Sequence, residues 1–190
     1  TRGIWIGGNS SADPMDYITI ATTGNASDFG DYIQNINGGA TCMSDTRGVY
    51  MGGYSGSYRD EMGYITMASL GNATAFGDLT EASGSCPGGC SNGVRGIRGK
   101  GYNSSTLKQT TIDYITIASL GNATAFGDMA QKCSNCGACS DGTKGLWGGG
   151  SDSRYNIIEY ITIASLGNST DFGDLTGVKS TMGCLSGDSS

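Results

Sequence analysis

Short runs of alternating apolar and polar residues, most of them bounded by glycine, recur along the whole chain. The most regular run is Tyr-Ile-Thr-Ile-Ala at residues 114–118. It is rich in β-branched residues, which favour extended strands. Similar runs begin at Tyr17, Tyr64 and Tyr160. No stretch keeps a 3.6-residue apolar period without glycine breaks, so the pattern predicts strands and argues against a helical repeat.

Each run lies inside a longer unit that occurs four times. A Gly-Asn turn follows the run and leads to Phe-Gly-Asp, with the aromatic residue at Phe29, Phe76, Phe126 and Phe172. A basic residue followed by glycine precedes the run, at Arg2, Arg47, Arg95 and Lys144. These basic residues are 45, 48 and 49 positions apart. A unit of this length with four short strands has the size of a propeller blade, since such repeats run to about 40–50 residues.

Composition agrees with a turn-rich β protein and excludes several functions. The 190 residues include 34 glycines, twice the usual share, and no histidine. The net charge of -6 disfavours a nucleic-acid partner, which would require a basic face. No apolar run reaches the roughly 20 residues of a membrane span, so no membrane partner is expected. The absence of histidine removes the commonest general base, and we expect neither an enzyme nor a cofactor.

The repeat resembles a known family. A strand ending in Gly-Gly, a Tyr in the next strand and an aromatic residue in the last one resemble kelch-repeat propellers, with Phe in place of the usual kelch Trp. The repeat is also similar to kelch-like repeats in predicted structural proteins of tailed bacteriophages. The motifs that carry this similarity are Thr-Arg-Gly, Asp-Tyr-Ile-Thr-Ile-Ala and Gly-Asn-Ala-Thr-X-Phe-Gly-Asp-Leu. The third copy departs from the pattern with Arg98 and Lys100 in its second strand.

We therefore predict one all-β domain over residues 1–190, a four-bladed kelch-like β-propeller with about four antiparallel strands per blade. The blade units are residues 1–36 plus 179–190, 37–83, 84–132 and 133–178. The chain begins at the second strand of a unit and ends with a lone first strand around Cys184. This phase predicts closure by pairing of the C-terminal strand with residues 3–8, which would cover two exposed edges. The alternative is that the last strand completes a neighbouring copy and builds a fibre.

The predicted strand order divides the connections between two faces. The first-to-second and third-to-fourth turns are nearly constant among the copies, whereas the loops on the opposite face vary in length and type. Variable loops on a rigid scaffold are where binding usually resides, and Tyr and Arg suit contact surfaces. The candidate binding-face residues are Tyr54, Tyr58, Arg59, Tyr102, Lys108, Arg154 and Tyr155. Drift in unselected loops is the alternative reading.

Seven cysteines cannot all pair within one chain. Cys133, Cys136 and Cys139 have the spacing of zinc ligands, with Cys86 or Cys90 as a fourth. However, Cys139 belongs to a repeated set with Cys42, Cys90 and Cys184, where a small buried side chain explains it, and we predict no metal site. Free thiols or loop disulfides remain open, and the local candidates for a bridge are Cys86–Cys90 and Cys133–Cys136.

Two further sets of polar residues recur with the repeat. Asp31, Asp78, Asp128 and Asp174 are expected to pair with the basic residues or to cap a turn, since catalytic carboxylates come as a unique pair in distinct environments. Asn25, Asn72, Asn122 and Asn168 each begin an Asn-X-Ser/Thr sequence and are candidates for glycosylation. The simpler interpretation is that Gly-Asn makes the turn, because Asn tolerates positive φ.

The resemblance implies a non-enzymatic virion structural protein of a tailed phage, acting as a tail-fibre, receptor-binding or capsid-decorating propeller. Its partners would be other virion proteins, copies of itself, and a host-surface glycan or protein. The alternative is an extracellular protein, a secreted or cell-surface adhesin or filament subunit carrying N-glycans.

Overall fold

The computed structural model describes residues 1–8, 14–85, 87–103, 105, 107–132, 134–151 and 156–187. Over these residues the protein is all-β, with 53% of residues in strands and no helix. The strands form four antiparallel sheets, one for each sequence repeat, with three strands in the first sheet and four in each of the others. The predicted all-β class is therefore confirmed.

The strands follow the repeat in order. Sheet 1 contains β1 (Arg2–Trp5), β2 (Pro14–Thr19) and β3 (Ser27–Asp31). Sheet 2 contains β4 (Ala40–Met43), β5 (Arg47–Tyr54), β6 (Tyr58–Thr66) and β7 (Thr74–Asp78). Sheet 3 contains β8 (Gly88–Ser91), β9 (Arg95–Asn103), β10 (Leu107–Thr116) and β11 (Thr124–Asp128). Sheet 4 contains β12 (Gly137–Ser140), β13 (Lys144–Gly148), β14 (Ile157–Thr162) and β15 (Thr170–Asp174).

The Phe of each Phe-Gly-Asp run is a β-bulge residue. In sheet 2, Met62 pairs with Gly77 and Gly63 pairs with Ala75, so Phe76 is the extra residue of the outer strand. The same shift occurs in all four sheets. A bulge bends the strand and re-aims a side chain, and here it places the ring edge-on to the Tyr of the preceding strand, with centroids 5.8–6.1 Å apart in the four copies.

The hydrophobic core lies between the sheets. Consecutive sheets pack face to face, and the first strand β8 contacts both β4 of the preceding sheet and β12 of the following sheet. One cluster joins sheets 1 and 2, a second joins sheets 2 and 3, and a third joins sheets 3 and 4. Each sheet therefore depends on its neighbours for burial, as in other repeat architectures.

A repeated set of hydrogen bonds marks each joint between sheets. The turn before the outer strand of one sheet reaches back to the Phe-Gly-Asp run of the preceding sheet. At the second joint the N–H of Gly121 donates to the carbonyl of Phe76 at 2.9 Å, and the N–H of Asp78 donates to Asn122 Oδ1 at 3.1 Å. The corresponding bonds occur at the first and third joints.

Glycine is required in the Phe-Gly-Asp run because the neighbouring turn passes so close. A Cβ on Gly77 would collide with the carbonyl of Gly121, and Gly77 also has a φ of 152°. The Phe-Gly-Asp motif thus forms the bulge and also makes room for the turn of the following sheet.

The predicted closure within one chain is wrong for the described residues. β1 pairs with β2 only, and its other edge has no strand beside it. The C-terminal segment is not a strand and lies against sheet 4, where the N–H of Thr181 donates to the carbonyl of Asn135 at 2.9 Å. Over the described residues, four sheets stacked in this way leave two uncovered ends, and no closed propeller is detected.

Candidate interaction face

The two kinds of connection do lie at opposite ends of the sheets, as predicted from the strand order. At the end with constant turns, the N–H of Met67 donates to the carbonyl of Thr46 at 2.9 Å. At the end with variable loops, the N–H of Ser83 donates to the carbonyl of Arg59 at 2.9 Å. The loops whose sequences differ among the copies therefore share one face, which we call the variable face.

Three tyrosines form a row on the variable face. The rings of Tyr54 and Tyr58 lie 5.2 Å apart between centroids, and the ring of Tyr58 lies 5.4 Å from that of Tyr102. Tyr54 is 40% exposed and the other two are half-buried. The row crosses the joint between sheets 2 and 3, because Tyr54 and Tyr58 come from β5 and β6 and Tyr102 comes from β9. The structure thus brings together three of the candidate binding residues.

The backbone holds this row in place. Tyr54 forms an isolated β-bridge with Asn37, and Tyr102 forms one with Gly84. Each bridge pairs the end of the second strand of a sheet, β5 or β9, with the loop that precedes the first strand of the same sheet. The backbone that carries the two outer rings is therefore already paired, so it need not be ordered when a partner binds.

Arg59 borders the tyrosine row. Its Nη2 donates to the carbonyl of Ser55 at 3.3 Å, and its Nη1 lies 3.7 Å from Glu61 Oε1. Both side chains are about one third exposed, so this ion pair contributes little stability. Lys108 pairs through its backbone with Tyr102. Arg154 and Tyr155 lie outside the described residues.

A buried polar network lies close to the row in sheet 3. Arg98 Nη1 donates to Asp113 Oδ2 at 3.1 Å, and Arg98 Nη2 donates to Gln109 Oε1 at 2.8 Å. Thr80 Oγ1 donates to Asp113 Oδ1 at 2.5 Å, and Gln109 Nε2 donates to Glu81 Oε2 at 2.6 Å. Both carboxylate oxygens of Asp113 are therefore occupied, and the network fixes the joint between sheets 2 and 3.

Burial decides the protonation tendencies in this network. Burial lowers the pKa of Arg98, although the charge of Asp113 acts in the opposite direction. Burial also raises the pKa of Asp113, although the charge of Arg98 acts in the opposite direction. The sequence indicated only that the third copy departs from the pattern at Arg98. The sequence did not single out its partner Asp113, because acidic residues, Asp16 and Glu159, occupy the same position in two other copies.

The repeated basic residues do not pair with the repeated Asp residues among the described part of the chain. Instead, each of the first three reaches forward to the next sheet: Arg47 Nη1 donates to the carbonyl of Ile117 at 3.0 Å, and Arg95 Nη1 donates to the carbonyl of Ile163 at 2.9 Å. Their guanidinium groups lie 4.7–4.9 Å from the rings of Tyr64 and Tyr114. Of the two roles expected for the repeated Asp residues, ion pairing is therefore wrong, because the joint offers each basic side chain a backbone carbonyl and an aromatic face at this position.

The Asn residues of three of the four sequons also belong to the joints. Asn72, Asn122 and Asn168 each accept an N–H from an Asp of the preceding sheet, at 3.0–3.1 Å. All three are exposed, and so is Asn25. Asn at these positions therefore has a structural role, and glycosylation stays a prediction.

The repeated cysteines form a column along the first strands. The Sγ atoms of Cys42 and Cys90 lie against glycines of the following sheet, Gly96 and Gly145. Burial raises the pKa of both thiols to about 12. Burial, together with a hydrogen bond that the Cys139 thiol makes with Cys184, raises the pKa of Cys139 to about 12.

The two candidate disulfides and the zinc alternative involve cysteines outside the described residues. Cys86 and Cys133 lie there, so the bridges Cys86–Cys90 and Cys133–Cys136 stay predictions. Among the residues that the structure describes, no three His, Cys, Asp or Glu side chains are grouped to hold a metal ion. No described helix is long and apolar enough to cross a membrane.

A row of rigid tyrosines suits stacking against a sugar ring or packing under a protein loop. No protein-family model matches the chain, and no curated protein is similar to it.

Proposed function

We propose that this protein is a non-enzymatic binding and structural protein that presents its variable face to a partner from a rigid repeat scaffold. The observation that carries the proposal is the row Tyr54–Tyr58–Tyr102, which spans two sheets on the face where the copies differ. The opposite face repeats the same joint contacts three times and serves the scaffold.

The biological setting that we propose is the virion of a tailed phage, where the chain acts as a tail-fibre, receptor-binding or capsid-decorating module. The sequence resemblance of the repeat supports this setting. In it the four sheets act as successive kelch-like blades, and the bound partner is a host-surface glycan or protein. The second candidate is an extracellular adhesin or filament subunit, which the exposed sequon residues such as Asn72 and Asn122 favour.

The binding role is tested with two substitutions at the centre of the row. Tyr58→Ala removes the ring that contacts both neighbours, whereas Tyr58→Phe keeps the ring and removes only the hydroxyl. On a glycan array and on host-cell envelopes we expect Tyr58→Ala to lose binding and Tyr58→Phe to keep most of it. Equal binding by wild type and Tyr58→Ala would remove the row from the proposal.

The setting is tested on native material. Labelling of tailed particles with an antibody against the chain supports the virion role. N-glycan mass on peptides containing Asn72 or Asn122 supports the extracellular alternative. Turnover of a glycan that a single Asp substitution abolishes would overturn both candidates.

A further inference from the structure

The three joints between sheets share one set of contacts, which describes how any sheet of this repeat receives the next one. The turn of the following sheet covers the Phe of the preceding sheet and donates to its carbonyl, as Gly167 does to Phe126 at 3.0 Å. The basic residue of the preceding sheet donates to a carbonyl of the following one, as Arg95 does to Ile163 at 2.9 Å. The two ends of the stack can be compared with this set.

The outer face of sheet 4 carries the residues that the preceding sheet contributes to a joint, and no described part of the chain covers them. Phe172 is 52% exposed, whereas the three equivalent rings are 2–4% exposed. A Cβ on Gly173 would meet no atom within 4 Å, although its φ of 136° is close to those of Gly30 and Gly77 in the first two joints, 138° and 152°. Lys144 lies 4.9 Å over the ring of Tyr160, as the joint arginines lie over their tyrosines.

The outer face of sheet 1 carries the residues that the following sheet contributes to a joint. No described part of the chain covers them either. Ile20 is 59% exposed, whereas its equivalents Ile117 and Ile163 are 1% and 0% exposed. Trp5 is 56% exposed, whereas Trp147 at the same repeat position is fully buried and donates its Nε1–H to the carbonyl of Gly88 in the preceding sheet at 3.1 Å. The apolar side chains of sheet 1 thus face the place of a preceding sheet.

A groove of about 370 Å³ runs between β1 and β4. It lies beside β1 at the position that the first strand occupies in each of sheets 2 to 4, which have one strand more than sheet 1. Gly48 lines this groove. At the two later joints, the equivalent glycines Gly96 and Gly145 receive the thiols of Cys42 and Cys90 from the first strand of the preceding sheet. The groove therefore has the shape that receives a first strand carrying a cysteine.

The C-terminal segment has the features of such a strand. It carries Cys184, which is exposed, and it already lies on β12 as β12 lies on β8. Ser186 Oγ donates to the carbonyl of Ser140 at 2.5 Å, as Ser140 Oγ donates to the carbonyl of Ser91 at 2.7 Å. No described hydrogen bond joins this segment or sheet 4 to sheet 1 of the same chain.

We propose that two copies of this chain associate head to tail, with sheet 1 of one copy stacking on sheet 4 of the other through a fourth joint. The turn at Gly24 and Asn25 of one copy covers Phe172 of its neighbour. The C-terminal segment of the neighbour, around Cys184, fills the groove beside β1. The interface is heterologous, so it produces a ring or a filament according to the rotation at each joint. This inference does not depend on the proposed function.

The experiment measures the size of the wild-type chain by sedimentation velocity in reducing buffer over a wide concentration range. We expect species larger than the 19.4 kDa monomer whose population rises with concentration. Phe172→Asp blocks the face of sheet 4 and Ile20→Asp blocks the face of sheet 1. Each variant alone should weaken association by more than about tenfold, as loss of a buried anchor does.

Mixing the two variants tests the polarity. Each has one blocked and one intact face, so the mixture should form a 1:1 complex of two chains and grow no further. Leu120→Asp is the matched control, because Leu120 is 56% exposed but lies on a turn away from both end faces, and it should associate like wild type. A wild-type chain that stays monomeric at all concentrations would overturn the proposal. So would a mixture that stays monomeric, or association that Leu120→Asp disrupts equally.

Discussion

The four Phe residues of the repeat should not contribute equally to stability, because three lie inside joints and one does not. Burying an aromatic side chain removes about 150–250 Å² from water, which at about 25 cal/mol/Å² gives about 4–6 kcal/mol. Phe→Ala changes in cores cost about 3–5 kcal/mol. Phe126 is 4% exposed and should show this full cost. Phe172 is 52% exposed, so Phe172→Ala should cost about 2 kcal/mol or less.

The assay is urea unfolding followed by tryptophan fluorescence, with the free energy of unfolding extrapolated to water. Both changes are made in the Ile20→Asp background, which keeps a second copy from covering Phe172. Trp147, whose side chain is buried in the core beside Phe126, reports the loss of the third joint. Equal costs for Phe126→Ala and Phe172→Ala in this background would refute the reasoning. They would mean that Phe172 is covered within its own chain, as a closed ring requires.

Three further outcomes follow from the same contacts. In the Ile20→Asp background, which keeps a second copy off sheet 4, Gly77→Ala should destabilise the protein much more than Gly173→Ala in urea unfolding, because both glycines have positive φ but only Gly77 faces a neighbouring turn; similar losses would show that backbone strain alone matters. In native alkylation of the Ile20→Asp variant at pH 8 mapped by mass spectrometry, Cys184 should react because it is exposed in the single chain, and Cys90 should not because burial raises its pKa to about 12; early labelling of Cys90 would contradict its burial. Asp141 accepts backbone N–H bonds from its own turn, which lower its pKa from the usual range of an Asp. Its stabilising effect should be present at neutral pH and lost as the pH falls through the lowered pKa, so the stability difference between wild type and Asp141→Ala should shrink in acid; a constant difference would count against it.

The sequence alone determined the local structure. The β-branched run at each Tyr predicts a strand, the Gly-Asn pair predicts the turn after it, and the period gives the number of sheets. These features follow from local propensity and from alternation, which are properties of neighbouring residues. The division between constant turns and variable loops followed from antiparallel order, so Tyr54, Tyr58 and Tyr102 could be assigned to one face before the structure was known.

The tertiary structure decided what depends on the stacking of one sheet on another. Phe126 and Phe172 stand in nearly identical sequences, yet one is buried and the other exposed, because burial comes from the following sheet. For the same reason the repeated arginines bond to carbonyls across the joint and not to the nearby Asp residues. Arg98 and Asp113 likewise became partners only through the pairing of β9 with β10. The place of the C-terminal segment was decided in the same way: it bonds to Asn135 and Ser140 beside sheet 4 and not to β1, because the stacking of the sheets brings it to that face.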